Sequence, residues 1–163
     1  MSSTLFVDAI EPNLSSGVHI AGHVIQVVQG STNTAVTNST ASAVNTGLSA
    51  TITPTSAASK ILVVVHQNGM EKTSDSSAND LGINLYRNDA NISLISAYTG
   101  YTATSLTLYL PTISISYLDA PATTSPLTYK TMFRNPDGGG GGGTVKLQVA
   151  SDTSTITLME IAQ

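Results

Sequence analysis

Apolar and polar residues alternate with a period near two along most of the chain, and β-branched residues crowd the alternating stretches while helical stripes are absent. This pattern predicts an all-β chain. Strands are expected over residues 5–10, 18–28 with an interruption at Gly22, 47–53, 60–68, 82–87, 92–98, 105–118, 127–134, 144–150 and 155–161. Turn chemistry separates them: Thr53-Pro54 closes one strand, Asn88-Asp89-Ala90-Asn91 reads as a hairpin loop, and residues 119–126 form a Pro- and Thr-rich crossing. Many short strands so divided predict an antiparallel β-sandwich or jelly roll. Within it, Ile61-Leu62-Val63-Val64-Val65 is apolar at both alternating sets of positions, as a mid-sheet strand covered on both faces requires, the outer cover being a neighbouring subunit. The stretch 127–134 instead sets Leu127, Tyr129 and Phe133 against Lys130 and Arg134, the signature of a half-solvated strand.

Two segments stand apart from this pattern. A compositional seam at Gly30 divides the chain into an N-terminal arm, residues 1–29, and a sandwich, residues 30–163. The arm's apolar positions, Leu5, Phe6, Val7, Ile10, Val24, Ile25 and Val27, are too few to enclose a core, so they are candidate contacts to another surface. That surface is the chain's own body, a sister subunit or a partner protein. The second segment, Asn135-Pro136-Asp137 followed by Gly138, Gly139, Gly140, Gly141, Gly142 and Gly143, is expected at a hairpin tip. It reads either as a slack loop or as an adaptable contact with neighbours or a receptor. With no Lys-Ser/Thr after it and a strand instead of a helix to follow, it is not a phosphate cradle.

Composition narrows the function. At 163 residues one domain with one core is expected, and with 5 % aromatic residues and no Trp that core is built of Val, Ile, Leu and Ala. A core so poor in aromatic area gains from burial between subunits, a first indication of oligomerisation. Charged residues are 10 % of the chain, replaced by Ser, Thr and Asn, and a net charge of −4 with six Lys and Arg leaves no basic stripe for nucleic acid. Without Cys there is no disulfide and no thiolate chemistry, and no apolar run approaches the length of a bilayer span, so no membrane partner is expected. The sequons at Asn38 and Asn91 are set aside as chance matches in a chain rich in Asn and Ser.

Candidate chemistry is sparse. His19 and His23 lie four apart, which on a strand spans about 13 Å and keeps both rings from one ion within a chain; they read as partly exposed strand histidines, and His66 as a hydrogen-bonded core or interface histidine. Glu11, Glu71 and Glu160 sit in unrelated contexts, giving no glycosidase pair, and no nucleophile elbow, P-loop, dinucleotide fingerprint or EF-hand loop is present. No catalytic residue, cofactor or metal site is therefore expected, and the chain reads as a non-enzyme.

The stretches Ser3-Thr4-Leu5-Phe6-Val7-Asp8-Ala9-Ile10, Gly22-His23-Val24-Ile25-Gln26-Val27-Val28, Thr46-Gly47-Leu48-Ser49-Ala50-Thr51-Ile52-Thr53-Pro54, Ser59-Lys60-Ile61-Leu62-Val63-Val64-Val65 and Ile156-Thr157-Leu158-Met159-Glu160-Ile161 resemble small β-sandwich virion proteins of tailed bacteriophages. The resemblance implies a homotrimer that is either a capsid cement (decoration) protein on the outer capsid surface, partnered by the major capsid protein, or a tail fibre or tailspike protein meeting a host surface glycan. It brings no catalytic residues. Because no repeat, heptad or β-helix supplies the length of a fibre, the cement role is expected, with the arm as its attachment.

Overall fold

The computed structural model describes residues 20–137 and 143–163. Twelve strands are present among them: β1 Val24–Thr32, β2 Val36–Asn38, β3 Val44–Ile52, β4 Lys60–Gln67, β5 Met70–Lys72, β6 Leu81–Arg87, β7 Ala90–Thr99, β8 Leu108–Leu110, β9 Ile113–Asp119, β10 Leu127–Arg134, β11 Val145–Leu147 and β12 Ser154–Ile161. All ladders between them are antiparallel. The first sheet has the order β1-β12-β4-β9 and the second β3-β10-β6-β7. Successive long strands thus alternate between the two sheets except at the β6–β7 hairpin, and this is the eight-stranded jelly roll expected from the pattern.

The remaining strands explain how the sandwich is closed. β2 lies between β1 and β3, β5 between β4 and β6, β8 between β7 and β9, and β11 between β10 and β12. Each is three residues long, and together they form a third sheet, β2-β11-β5-β8. Four connections that cross from one main sheet to the other are thereby hydrogen-bonded into a cap over one end. β2 and β5 were not expected from the sequence. Three residues are too few to display a period, and their ladders come entirely from distant segments.

The cap also corrects two expectations. Residues 105–118 do not form one strand: β8 belongs to the cap and β9 to the first sheet, with Pro111, which has no N–H to donate, and Thr112 between them. The glycine run does not tip a hairpin either, because β10 pairs with β3 and β6 whereas β11 pairs with β2 and β5. Residues 144–150 shorten to β11 and a 3-10 turn at Val149–Ser151. The short hairpin at Asn88-Asp89 and the sheet-to-sheet crossing at 120–126 follow expectation, with Asn88 in the left-handed region at φ 51°.

Burial follows the alternation. Leu48, Ala50, Ile52, Ile61, Val63, Val65, Leu85, Leu127, Tyr129, Ile156 and Leu158 make one apolar cluster, and Met70, Leu81, Ile83, Phe133, Val145 and Leu147 a second beneath the cap. Each large side chain so buried contributes roughly 1.5–3 kcal/mol. Buried polar side chains link the two sheets nearby: Thr46 and Thr131 share a hydroxyl contact of 2.6 Å, Thr131 donates to Gln67 Oε1 at 3.1 Å, and Gln67 Nε2 donates to Ser154 Oγ at 2.9 Å. Since these residues come from β3, β10, β4 and β12, the chain of bonds ties the two main sheets in one register.

At the end away from the cap, Asp119 of β9 accepts the Tyr129 hydroxyl at 2.6 Å and both its oxygens accept Arg87 NH1, at 2.9 and 2.8 Å. Burial, with the hydrogen bond to Asp119 next, drives the Tyr129 pKa far upward, so the phenol stays a donor. Glu160, fully buried, accepts from Gln26 Nε2 at 2.6 Å and from Thr55 N and Oγ1, both at 2.8 Å. Burial alone would raise its pKa, but these donors outweigh that and hold it below the usual value.

Candidate functional site

The seam at residue 30 lies inside β1, whose ladder with β12 runs from Val24↔Ile161 to Thr32↔Ser154. Residues 24–29, assigned to the arm by composition, are therefore an edge strand of the first sheet. A Cβ at Gly30 would stand 1.9 Å from the Ser49 carbonyl oxygen of β3, so only glycine lets β1 close this side of the sandwich. Leu5, Phe6, Val7 and Ile10 lie outside the described residues, as does His19. Of the other proposed contact residues, Val24 and Val27 are 50 % and 58 % exposed and Ile25 is half-buried.

The register shows what Val24 and Val27 belong to. Val27 pairs with Met159, Met159 with Leu62 and Leu62 with Leu118, giving one apolar row across all four strands of the first sheet's outer face. Leu118 is 54 % exposed, and Leu62 and Met159 are half-buried. The neighbouring row is Val24, Ile161 and Lys60. Toward the cap the face turns polar, through Gln29, Thr157, Val64 and Ser116 to Ser31, Thr155, His66 and Ser114. The β4 segment expected to be covered on both faces is mid-sheet, but it buries only Ile61, Val63 and Val65; Leu62 and Val64 are half-exposed. His66 is likewise exposed and not a core residue, its Nδ1 2.7 Å from Ser114 Oγ. His23 is exposed and precedes β1 by one residue.

The outer face of the second sheet is mixed: one row is Asn45, Met132, Asn84 and Leu94, with Leu94 56 % exposed. Ser49, Lys130, Tyr86 and Asn91 form a row there, Thr51 and Thr128 share a hydroxyl contact of 2.8 Å, and Lys130 Nζ reaches Asp89 at 3.1 Å. Lys130 and Arg134 thus face outward, as the half-solvated reading of their strand requires. On the cap, the row Thr37, Lys146, Glu71 and Tyr109 carries an ion pair, Lys146 Nζ to Glu71 Oε1 at 2.9 Å. Among the outward-facing rows described, the one that is apolar on all four strands is Val27, Met159, Leu62 and Leu118 of the first sheet.

The glycine run begins and ends against a buried amide pair. Asn135 Nδ2 donates to Asn79 Oδ1 at 2.6 Å and to the Gly143 carbonyl at 2.8 Å, and Asn79 Nδ2 donates to the Thr144 carbonyl at 2.6 Å. Gly143 is buried, and a Cβ there would come 2.8 Å from Asn79 Cγ. Gly138 to Gly142 fall outside the described residues. Beside these anchors Asp80 is fully buried with neither carboxylate oxygen in hydrogen-bonding geometry. Burial, reinforced by the charge of Asp137, raises its pKa to about 6. Among the described residues no group of three or more His, Cys, Asp or Glu is placed to hold a metal ion. The sequon at Asn38 is buried and its side chain is engaged, donating to the Ser42 and Phe133 carbonyls at 2.9 and 3.1 Å.

Sequence placed Val24 and Val27 among contact residues and read the outer side of the strand bearing Leu62 as covered, but it missed Leu118, Met159 and Ile161 and the grouping of all six. Their grouping is a matter of register between positions 35 to 134 residues apart, from Val27 to Leu62 and to Ile161, and local alternation carries no such information.

The architecture defines the protein as an eight-stranded jelly roll with a four-stranded cap and an apolar row across the outer face of its first sheet. No protein-family model matches the chain, and no curated protein matches it in sequence. Among solved structures it is similar to the VP2 subviral particle of infectious bursal disease virus, at 10 % identity and a TM-score of 0.44 over 98 % of this chain and 43 % of that one. The Gx strain of the same virus gives 13 % identity and a TM-score of 0.42, over 98 % and 42 %. The chain spans less than half the length of these chains.

Proposed function

We propose that this chain is a structural protein of a virus particle, a trimeric cement protein that binds the outer capsid surface and stabilises the head. The observation that carries the reading is the apolar row Val27, Met159, Leu62 and Leu118, which crosses all four strands of the first sheet's outer face with Val24 and Ile161 beside it. A soluble subunit with one such face is suited to being covered in an assembly. The sequence resemblance to phage virion proteins supplies the kind of assembly. In this reading the major capsid protein is the partner, the N-terminal segment makes the attachment, and decoration shifts the shell's equilibrium against dissociation by mass action.

The test is to locate and count the chain on purified particles by electron microscopy with quantitative gel analysis. Many copies spread over the shell are expected. A few copies at the tail would overturn the cement role and replace it with a tail fibre or tailspike tip that meets a host surface glycan.

A further inference from the structure

The row on the outside of the cap gathers groups that the virion role leaves unused, and we propose that Tyr109, Glu71 and Lys146 form a binding site for an uncharged saccharide, with Tyr101 at its margin. This goes beyond the virion role and holds wherever the protein is mounted.

Each three-residue cap strand turns its middle side chain outward, and the register aligns these as Thr37, Lys146, Glu71 and Tyr109. Inward, the same strands bury Met70, Val145 and Leu147, so the row stands on a packed base. Glu71 is only 8 % exposed although its place in the row is an outer one. Its Oε1 accepts Lys146 Nζ at 2.9 Å, and its Oε2 has no partner among the described residues. The Glu71 hydrogen bond chiefly, with Tyr109 contributing, raises the Lys146 pKa, so the amine stays a donor close to the ring.

Tyr109, opposite Glu71, is 72 % exposed. Tyr101 is exposed too, and its neighbours hold it near β8. A Cβ at Gly100 would stand 2.6 Å from Leu110 Cδ2, and Lys72 Nζ, from the strand paired with β8, donates to Thr102 Oγ1. With Tyr98 at the end of β7, the tyrosines that are more than half exposed all fall between residues 98 and 109, in a chain with six Tyr and no Trp.

The chemistry of the row selects a sugar. A pyranose has a face of C–H groups and a rim of hydroxyls, so it needs an aromatic face beside fixed donors and acceptors. Here the Tyr109 ring adjoins a carboxylate oxygen that accepts and an ammonium that donates, a pair that two neighbouring hydroxyls engage together. Because Lys146 and the surrounding burial already hold Glu71, little side-chain freedom is lost on binding. The charges of Glu71 and Lys146 balance, which favours a neutral sugar over an acidic one. Area disfavours a folded partner: two rings this exposed offer roughly 200–300 Å², against about 800 Å² on each side of a stable protein interface.

The test exposes the full-length chain to an array of neutral hexose and N-acetylhexosamine oligosaccharides and measures the Kd of each retained sugar by titration calorimetry. At least one sugar is expected to bind with a Kd of about 1 mM or tighter. Tyr109→Ala and Glu71→Gln should each weaken it about tenfold, while Lys130→Ala on the second sheet leaves it unchanged. Should Glu71→Gln lower the melting midpoint, Tyr109→Ala decides alone, since removing an exposed ring leaves the fold intact. Retention of no sugar, or binding that a folded Tyr109→Ala or Glu71→Gln chain keeps in full, would overturn the proposal. Neither result bears on the virion role, which the count of copies on particles decides.

Discussion

Gly30 shows how much one missing atom can decide. Its neighbour across the sandwich is backbone, the Ser49 carbonyl, and so cannot rotate out of the way of a Cβ placed 1.9 Å from it. Gly30→Ala is expected to cost about 3 kcal/mol or more, read as a fall in the urea midpoint with the m-value unchanged. Asp80 makes a second residue-scale prediction, in pH. Its native pKa of about 6 exceeds the ordinary 3.8, so the folded state binds the proton more tightly and stability rises as pH falls from 7 toward 4. Below that, Glu160, whose native pKa is depressed, becomes protonated and its donors lose a charged acceptor, so stability falls again. Thermal melts should therefore peak at about pH 4–5, and Asp80→Asn should flatten the rise between pH 7 and 4 while leaving the acid limb in place.

At the scale of elements, the contact of β9 with β6 and β10 through Asp119 is the most exposed to a single change. Asp119→Ala leaves the Tyr129 hydroxyl buried without an acceptor and Arg87 without its partner, and is expected to destabilise by about 3 kcal/mol. Tyr129→Phe in the Asp119→Ala background should then cost little more, a coupling that chemical denaturation of the double-mutant cycle measures. The long strands were legible in the sequence, because half-buried strands write their two faces as alternation: β10 reads Leu127, Tyr129, Thr131 and Phe133 inward, and its bounds matched. β2, β5 and the split between β8 and β9 were not legible, since three-residue strands show no period. The glycine run misled because composition reports the slackness of a connection and not which sheets it joins. For the candidate site, Val24 and Val27 were found as apolar residues in an apparent arm, but their partners Leu62, Leu118 and Met159 come together only through pairing across the sheet.

For the whole molecule, the twelve strands among the described residues lie at or beyond Val24, so removing residues 1–19 leaves every described ladder in place. If the proposed cement role holds, the shortened chain is expected to sediment in the same assembly state as the full chain while failing to decorate purified heads. Continued decoration would move the attachment site onto the sandwich. Removing residues 1–28 instead would strip most of β1 from the sheet and is expected to unfold the protein.

The placement of β12 has a consequence for how such a protein is made. Residues 154–161 lie between β1 and β4, so the first sheet lacks an interior member until nearly the whole chain has left the ribosome. Until then β1 and β4 present unpaired backbone to solvent, and at about 5–20 residues per second the interval from β4 to β12 lasts several seconds. With this order of strands the first sheet closes only once β12 has been made, and the nascent form that lacks it is the one at risk of pairing with its sisters.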